Sequence, residues 1–362
     1  TRDVNREQDM TEKIVLAFSG GLDTSYCVLD LAQQGYEVHT AFVDTGGVDD
    51  SGRAEIRERA MSLGAAEHHE IDVAQAIWDE FVKPLVWSHA RMRGEYPLLC
   101  SDRYLIVRRC LELCDELGTR HFAHGCTGMG NDQLRFDQTV RSTGDYTIHA
   151  PVRDLQKTVT DDIRAHEIEY LEKAGVEVTG KSGSYSINEN LLGVTISGSE
   201  VDRFEVPGPE TRQLCRPREE WPESPMAVSI RFSKGVATHI NDTELTGPEI
   251  INLLNQAFGE YGVGRHIYTG DVSIGLKGRI VFECPGIDAL LTAHQALEDA
   301  VNTRLQNQFR HQVSQRWAEL VYTGFFYEPH KADLEAYLAS SQSSVTGTVT
   351  LMYEGGSVTA VA

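Results

Sequence analysis

Apolar residues gather first in KIVLAF (13–18), a run too short for a helix and closed by Ser-Gly-Gly. The stretch from Asp23 to Gln34 has helical length and stops before Gly35. EVHTAFVD (37–44) repeats the strand signal, SGRAEIRERAMSLG (51–64) reads as a helix, and HHEIDV (68–73) as a third strand. Next come a helix over 102–117, the strand RHFAH (120–124), a glycine-rich loop, a helix from about Asn131 and the strand YTIHAPV (146–152). Strands alternating with helices predict an α/β fold, a parallel, doubly wound sheet.

The texture changes after about Lys181. Residues 198–225 are rich in Gly, Pro and Glu and read as a connector. Beyond them, AVSIRF, the helix PEIINLLNQAFGEYG, IYTGDVSIGLKGRIVFE and a helix over 287–308 form a mixed α+β stretch. VTGTVTLMYEGGSVTAVA, two alternating segments around Gly-Gly, closes the chain as a hairpin. The expected division is an N-terminal extension (1–12), in which Met10 is a possible natural start, a nucleotide-binding domain (13–180) and a second domain (181–362).

Charge narrows the partners. At −21 over 362 residues, the chain would be repelled by nucleic acid or an anionic membrane, so neither is expected as a partner. A phosphate ligand would need local help from magnesium, helix-start amides or placed arginines. Seven cysteines with no CxxC pair read as reduced thiols, the cytoplasmic pattern, and Cys110 and Cys114 as small apolar residues one helical turn apart. The thirteen histidines make no metal pattern along the chain.

Two loops carry the candidate chemistry. SGGLDTS (19–25) follows the first strand; it is neither a Walker loop nor GxGxxG. Gly20 and Gly21 allow backbone amides to turn inward around an anion, Ser19, Thr24 and Ser25 add hydroxyls at a helix start, and Asp23 would cap the helix or hold magnesium through water. A tight strand-to-helix turn would use the same letters. AHGCTGMGNDQLRF (123–136) follows another strand, so both loops would sit on one edge of the sheet. Asn131 and Arg135 would share a helix face; Arg135 could fork onto a carboxylate and Asp132 accept from an ammonium group, a combination suited to an amino-acid substrate. Tyr96 and Ser101 in YPLLCSDR, and Ser186 and Thr195 in SYSINENLLGVT, are weaker pocket candidates, since lone hydroxyls commonly cap turns.

SGGLDTS after a strand resembles the signature of the PP-loop ATP pyrophosphatases, and HGCTGMGNDQLRF resembles the matching stretch of the argininosuccinate synthase family within them. YSINENLLG, NLLNQAFGEYGVGR, AELVYTGFFY and VTGTVTL are similar to further segments of that family in the same order. The resemblance implies a PP-loop (adenine nucleotide α-hydrolase type) domain followed by an α+β synthetase domain. It also implies ligation of citrulline to aspartate: the ureido oxygen attacks the α-phosphorus of ATP, pyrophosphate leaves, and the aspartate amine displaces AMP. By match of position, Ala17, Phe18, Ser19, Gly20, Gly21, Leu22, Asp23, Thr24 and Ser25, with Val43 and Gly125, would hold ATP, and Asp23 its Mg2+. Thr127, Asn131 and Asp132 would hold aspartate; Tyr96, Ser101, Asn131, Arg135, Ser186 and Thr195 would contact citrulline. Asp23, Asp132 and Arg135 would be the catalytic set, in a cytoplasmic homotetramer.

The chain departs from that pattern in places. Met129 stands where the family has lysine, and Gly270 and Phe282 where it has a citrulline-binding Glu and Tyr. Asp271 is a candidate replacement for the carboxylate, and an N-acylated citrulline remains open as the substrate. The family's C-terminal helix, which clasps neighbouring subunits, is expected to be missing. Two other readings stand beside the ligase. A tRNA-thiolating PP-loop enzyme would need a basic face and a catalytic cysteine pair. A non-catalytic adenylate-binding protein would not need the aspartate contacts.

Overall fold

The computed structural model describes residues 11–159, 162–176, 185–272, 275–354 and 356–362. Strands β1 (Lys13–Ala17), β2 (Glu37–Asp44), β3 (Glu67–Asp72), β4 (His121–Ala123) and β5 (Thr147–His149) form a parallel sheet in the order β3-β2-β1-β4-β5. Helices α1 (Leu22–Gln33) and α2 (Asp50–Ser62) connect the first three strands. In β1 successive residues serve different cores: Ile14 and Leu16 join Cys27, Val28 and Leu31, whereas Val15 and Ala17 join Leu105 and Phe122. A strand buried on both faces has this signature, and its near-continuous apolar run KIVLA follows from it. Strand order reverses between β1 and β4, which places a crevice at their carboxyl ends.

The second part holds two antiparallel sheets. One has the order β11-β12-β7-β6, from β6 (Ser186–Asn190), β7 (Gly193–Ser197), β11 (Arg265–Asp271) and β12 (Lys277–Glu283). The other has the order β10-β9-β8-β13-β14, from β8 (Met226–Ser233), β9 (Val236–Ile240), β10 (Thr243–Glu244), β13 (Gly347–Glu354) and β14 (Ser357–Ala360). The terminal hairpin is thus an edge of a larger sheet. The expected 180/181 boundary and residues 1–10 of the expected 1–12 extension lie outside the described residues.

The single helix expected over 287–308 is two, Pro285–Val301 and Arg304–Tyr322. Thr303 breaks it: its backbone amide and hydroxyl meet Gln306 Oε1 at 2.9 and 3.0 Å, a capping box that starts a new helix. The T-x-x-Q spelling was visible in the chain.

The 198–225 connector is pinned from beneath. Fully buried Glu283 Oε2 accepts from the amides of Gln213, Leu214 and Cys215 at 2.9, 2.6 and 3.0 Å, while its Oε1 takes Arg265 at 2.6 Å. Glu283→Gln puts an N–H2 group among donors and is expected to lower stability by about 2 kcal/mol. A urea titration showing no shift in midpoint would contradict that role.

Candidate functional site

β1 ends at Ala17, and Phe18 extends its pairing by donating to Ala41 O at 2.9 Å. The chain then turns through Gly20, whose φ of +77° favours glycine and whose Cβ, if it had one, would lie 3.0 Å from Ile56 Cγ1 of α2. No side chain caps α1, so its first amides face outward for an external acceptor. Ser19 and Thr24 hydroxyls sit 3.3 Å apart on the loop. Ser25 does not join them: its buried hydroxyl donates to Gly21 O at 2.7 Å and accepts from Arg59 Nε at 2.7 Å. Arg59, on α2 and unmarked in the sequence, puts a cation directly behind the loop.

The two glycine loops touch. A Cβ on Gly125 would lie 3.1 Å from Thr24 Cγ2 and 3.3 Å from Asp23 Cβ, so any larger residue there would separate them. Buried His124 shapes the second loop: its Nδ1 accepts from the Cys126 amide at 3.1 Å, and its Nε2–H therefore donates to Asp137 at 3.2 Å. Burial lowers its pKa and favours this neutral form. Gly128 is tied on both sides, through its N–H to Gln156 and through its carbonyl to Gln133, each at 2.6 Å. Thr127 lies on this loop, and Met129 projects into solvent. Val43 is buried at the end of β2.

Asp132 opens the next helix, Asp132–Thr143, between two guanidinium groups: Arg135 Nη1 at 2.6 Å and Arg103 Nε at 3.3 Å. Burial pushes its carboxyl up, but the two arginines win and hold it below the usual range. Arg135 was expected to fork onto a substrate carboxylate. In the structure its Nη1 is on Asp132, its Nε and Nη2 donate to Tyr322 O at 3.1 and 2.8 Å, and its guanidinium lies 5.0 Å from the Tyr322 ring centre. Its fork is used within the protein, so Arg135 shapes the site, and Asp132 presents the partly exposed charge. Asn131, one turn before Arg135 and largely buried, shares its helix face.

Tyr322 leads to the other candidates. Tyr96 stacks on Tyr268 (5.3 Å, 22°) and meets Phe282 (5.3 Å) and Tyr322 (6.3 Å) edge-on. Phe282 pairs with Thr195 across β12 and β7, and Ser186 starts the neighbouring β6. Ser101 is turned away: its hydroxyl donates to Leu98 O in the core. Asp271 does not replace the family's carboxylate. Strand alternation puts it on the face opposite Gly270, where it pairs with Lys277 in solvent. A Cβ on Gly270 would lie 2.5 Å from Tyr268 Oη, so Tyr268 occupies the space of any side chain there.

Asp23 turns toward buried Glu167 on the helix Ile163–Lys173, a partner the sequence did not mark. Burial, reinforced by the Asp23 carboxylate, pushes Glu167 up to about 8, and burial raises Asp23 against the opposing charge of Arg164. The folded protein therefore keeps a proton that an unfolded glutamate releases. That stabilisation is full below the ordinary glutamate pKa of 4.5 and is lost as pH rises from there through about 8. Glu167→Gln, neutral at every pH, is expected to flatten the fall in melting temperature between about pH 6 and about pH 9. Parallel curves for the two proteins would show that no proton is held.

A cavity of about 650 Å³ lies between Gly46–Gly47, Glu189–Asn190 and the connector at Arg212 and Arg216. None of the residues expected to bind ligands lines it. No helix among the described residues is long and apolar enough to cross a membrane.

Known proteins match this sequence along nearly the whole chain. Residues 13–177 match the Arginosuccinate synthase N-terminal HUP domain, and residues 185–362 the Arginosuccinate synthase C-terminal domain. The argininosuccinate synthase of Xylella fastidiosa is 55% identical over 351 residues, covering 97% of this chain and 87% of its own length. That of Xanthomonas campestris is 56% identical over 352 residues, 97% of this chain and 88% of its own. That of Methanocaldococcus jannaschii is 39% identical over 355 residues, 96% and 87% respectively.

Proposed function

The chain belongs to the argininosuccinate synthase family, and from that membership we propose that its paired sheet-edge loops join citrulline to aspartate, with ATP cleaved to AMP and pyrophosphate. It is a carbon–nitrogen ligase of arginine biosynthesis, and neither an N-acylated substrate nor a non-catalytic role is favoured. The observation that carries the site reading is the contact of the two loops at the strand-order reversal, with Gly125 against Asp23 and Thr24.

In this reading ATP phosphates lie on the uncapped start of α1, over Ser19–Gly21 and Thr24, with Arg59 behind. Ser25 holds the loop's shape. Asp132, fixed in its ionised form by Arg103 and Arg135, receives the aspartate ammonium, and Thr127 and Asn131 flank it. The Tyr96, Tyr268, Phe282 and Tyr322 rings bound the citrulline end, with Ser186 and Thr195 on the adjoining strands. A urea oxygen is a weak nucleophile, so rate is gained chiefly by holding it in line with the α-phosphorus. Asp23 fits a protein-held magnesium poorly, because its carboxylate is turned inward onto Glu167, which holds the proton of the pair. Magnesium is therefore assigned to the phosphates of the nucleotide that enters.

The same reading includes a homotetramer. Leu305 and Phe309, 69% and 48% exposed and one turn apart on the helix Arg304–Tyr322, support an apolar self-contact. Light scattering that returned a monomer would remove that element.

The deciding experiment measures pyrophosphate and AMP from magnesium ATP with citrulline and aspartate, together and singly, with the product identified by mass. Sustained release that requires both amino acids and yields argininosuccinate is expected. Release indifferent to citrulline would overturn the reading.

A further inference from the structure

Histidines scattered along the chain converge on the edge of the parallel sheet away from the nucleotide loops. β2 and β3 run in register with His39 opposite Glu67 and Ala41 opposite His69. Three potential ligand atoms face one another there. His39 Nδ1 lies 3.3 Å from His69 Nε2 and 3.7 Å from Glu67 Oε2, and His69 Nε2 lies 3.6 Å from Glu67 Oε2. Ligands about 2.0–2.1 Å from a tetrahedral zinc are separated by about 3.3 Å, so this triangle has the size of one face of such a site.

The surroundings favour a metal at its centre. His39 Nε2 is bonded to Glu37 Oε1 at 2.9 Å, which places its proton there and leaves the Nδ1 lone pair pointing into the triangle. A carboxylate behind an imidazole in this way is the usual outer support of a metal-bound histidine. The His39 side chain is 4% exposed and rigidly set, while His69 and Glu67, at 20% and 59%, leave a fourth position open to solvent. Charges facing the triangle are acidic: Glu37, Glu67 and, near His69, Glu116.

Among the described residues, two other groups of this kind already pair with an arginine. Glu298, beside His89 and His294, is paired with Arg310 at 3.0 Å, and Asp288, beside His266 and Cys284, with Arg91 at 2.7 Å. Glu67 is paired with neither lysine nor arginine among the described residues.

We propose that His39, Glu67 and His69 form a binding site for a zinc-class divalent metal, tying β2 to β3 at a distance from the ligase chemistry. For both rings to ligate, the proton between them must leave His69 Nε2 for the Nδ1 of the same ring, which frees the Nε2 lone pair for the metal.

Titration of cobalt(II), and separately zinc, into chelator-treated full-length protein tests this. One equivalent is expected to bind, with the visible absorption of four-coordinate cobalt(II) and a melting temperature that rises with zinc concentration. His69→Ala should abolish the cobalt signal, and Glu37→Gln should weaken binding about 10-fold. Pyrophosphate release by both variants should match the parent. Absence of one-to-one binding, or unchanged binding by both His69→Ala and Glu67→Gln, would overturn the proposal.

Discussion

Arg135→Ala is expected to reduce kcat/KM for citrulline about 100-fold or more while leaving the KM for ATP within a few-fold. The side chain is 4% exposed, and its donors join two elements that the sequence separates by 187 positions, the second-loop helix and the backbone of Tyr322. Truncation releases Asp132 on one side and the Tyr322 carbonyl on the other, so the charged clamp and the aromatic wall shift together. Breaking a fully buried pair costs about 3–5 kcal/mol. Asp132 is 38% exposed and retains Arg103, which brings the expected loss to about 2 kcal/mol. Arg135→Lys restores charge but not the fork, and should recover stability more than turnover. Steady-state kinetics in each substrate, set beside a thermal melt, separate these effects. Equal losses for ATP and citrulline would show that Arg135 holds the fold alone.

What could be read in the chain depends on how far each feature reaches along it. The PP-loop spelling and the glycine-rich second loop are local, and the elements around them obey local periodicity. β1 is apolar on both faces because it is central in the sheet, so strand and parallel sheet were legible together. The partners of the site residues were not. Ser25 and Ser101 look like ligand hydroxyls in sequence, but backbone carbonyls at Gly21 and Leu98 take them. Arg59 and Glu167 sit on helices whose letters carry no motif, and only packing against α1 brings them to the loop. Likewise His39 and His69, 30 positions apart, meet only because β2 and β3 are adjacent.

Gly270→Glu, which introduces the glutamate that the resemblance implied at this position, is expected to damage this protein. Tyr268 and Gly270 lie on the same face of β11, and the Tyr268 phenol covers the glycine, with Oη, Cε1 and Cζ within 2.6 Å of where a Cβ would be. Tyr268 is buried and stacks on Tyr96, so any side chain at 270 must drive that ring out of the aromatic cluster proposed to bound citrulline. Overpacking costs about 1–3 kcal/mol, and a lost aromatic pair about 0.5–1.5 kcal/mol more. If that sum falls on bound citrulline, its KM rises about 100-fold, with ATP binding spared. Tyr268→Val opens the space, so the double substitution should bind citrulline better than Gly270→Glu alone. A double-mutant cycle in KM for citrulline measures the coupling. Strictly additive effects would mean that Tyr268 does not fill the place of the missing carboxylate; a favourable coupling would mean that glycine at 270 and tyrosine at 268 form one substituted contact.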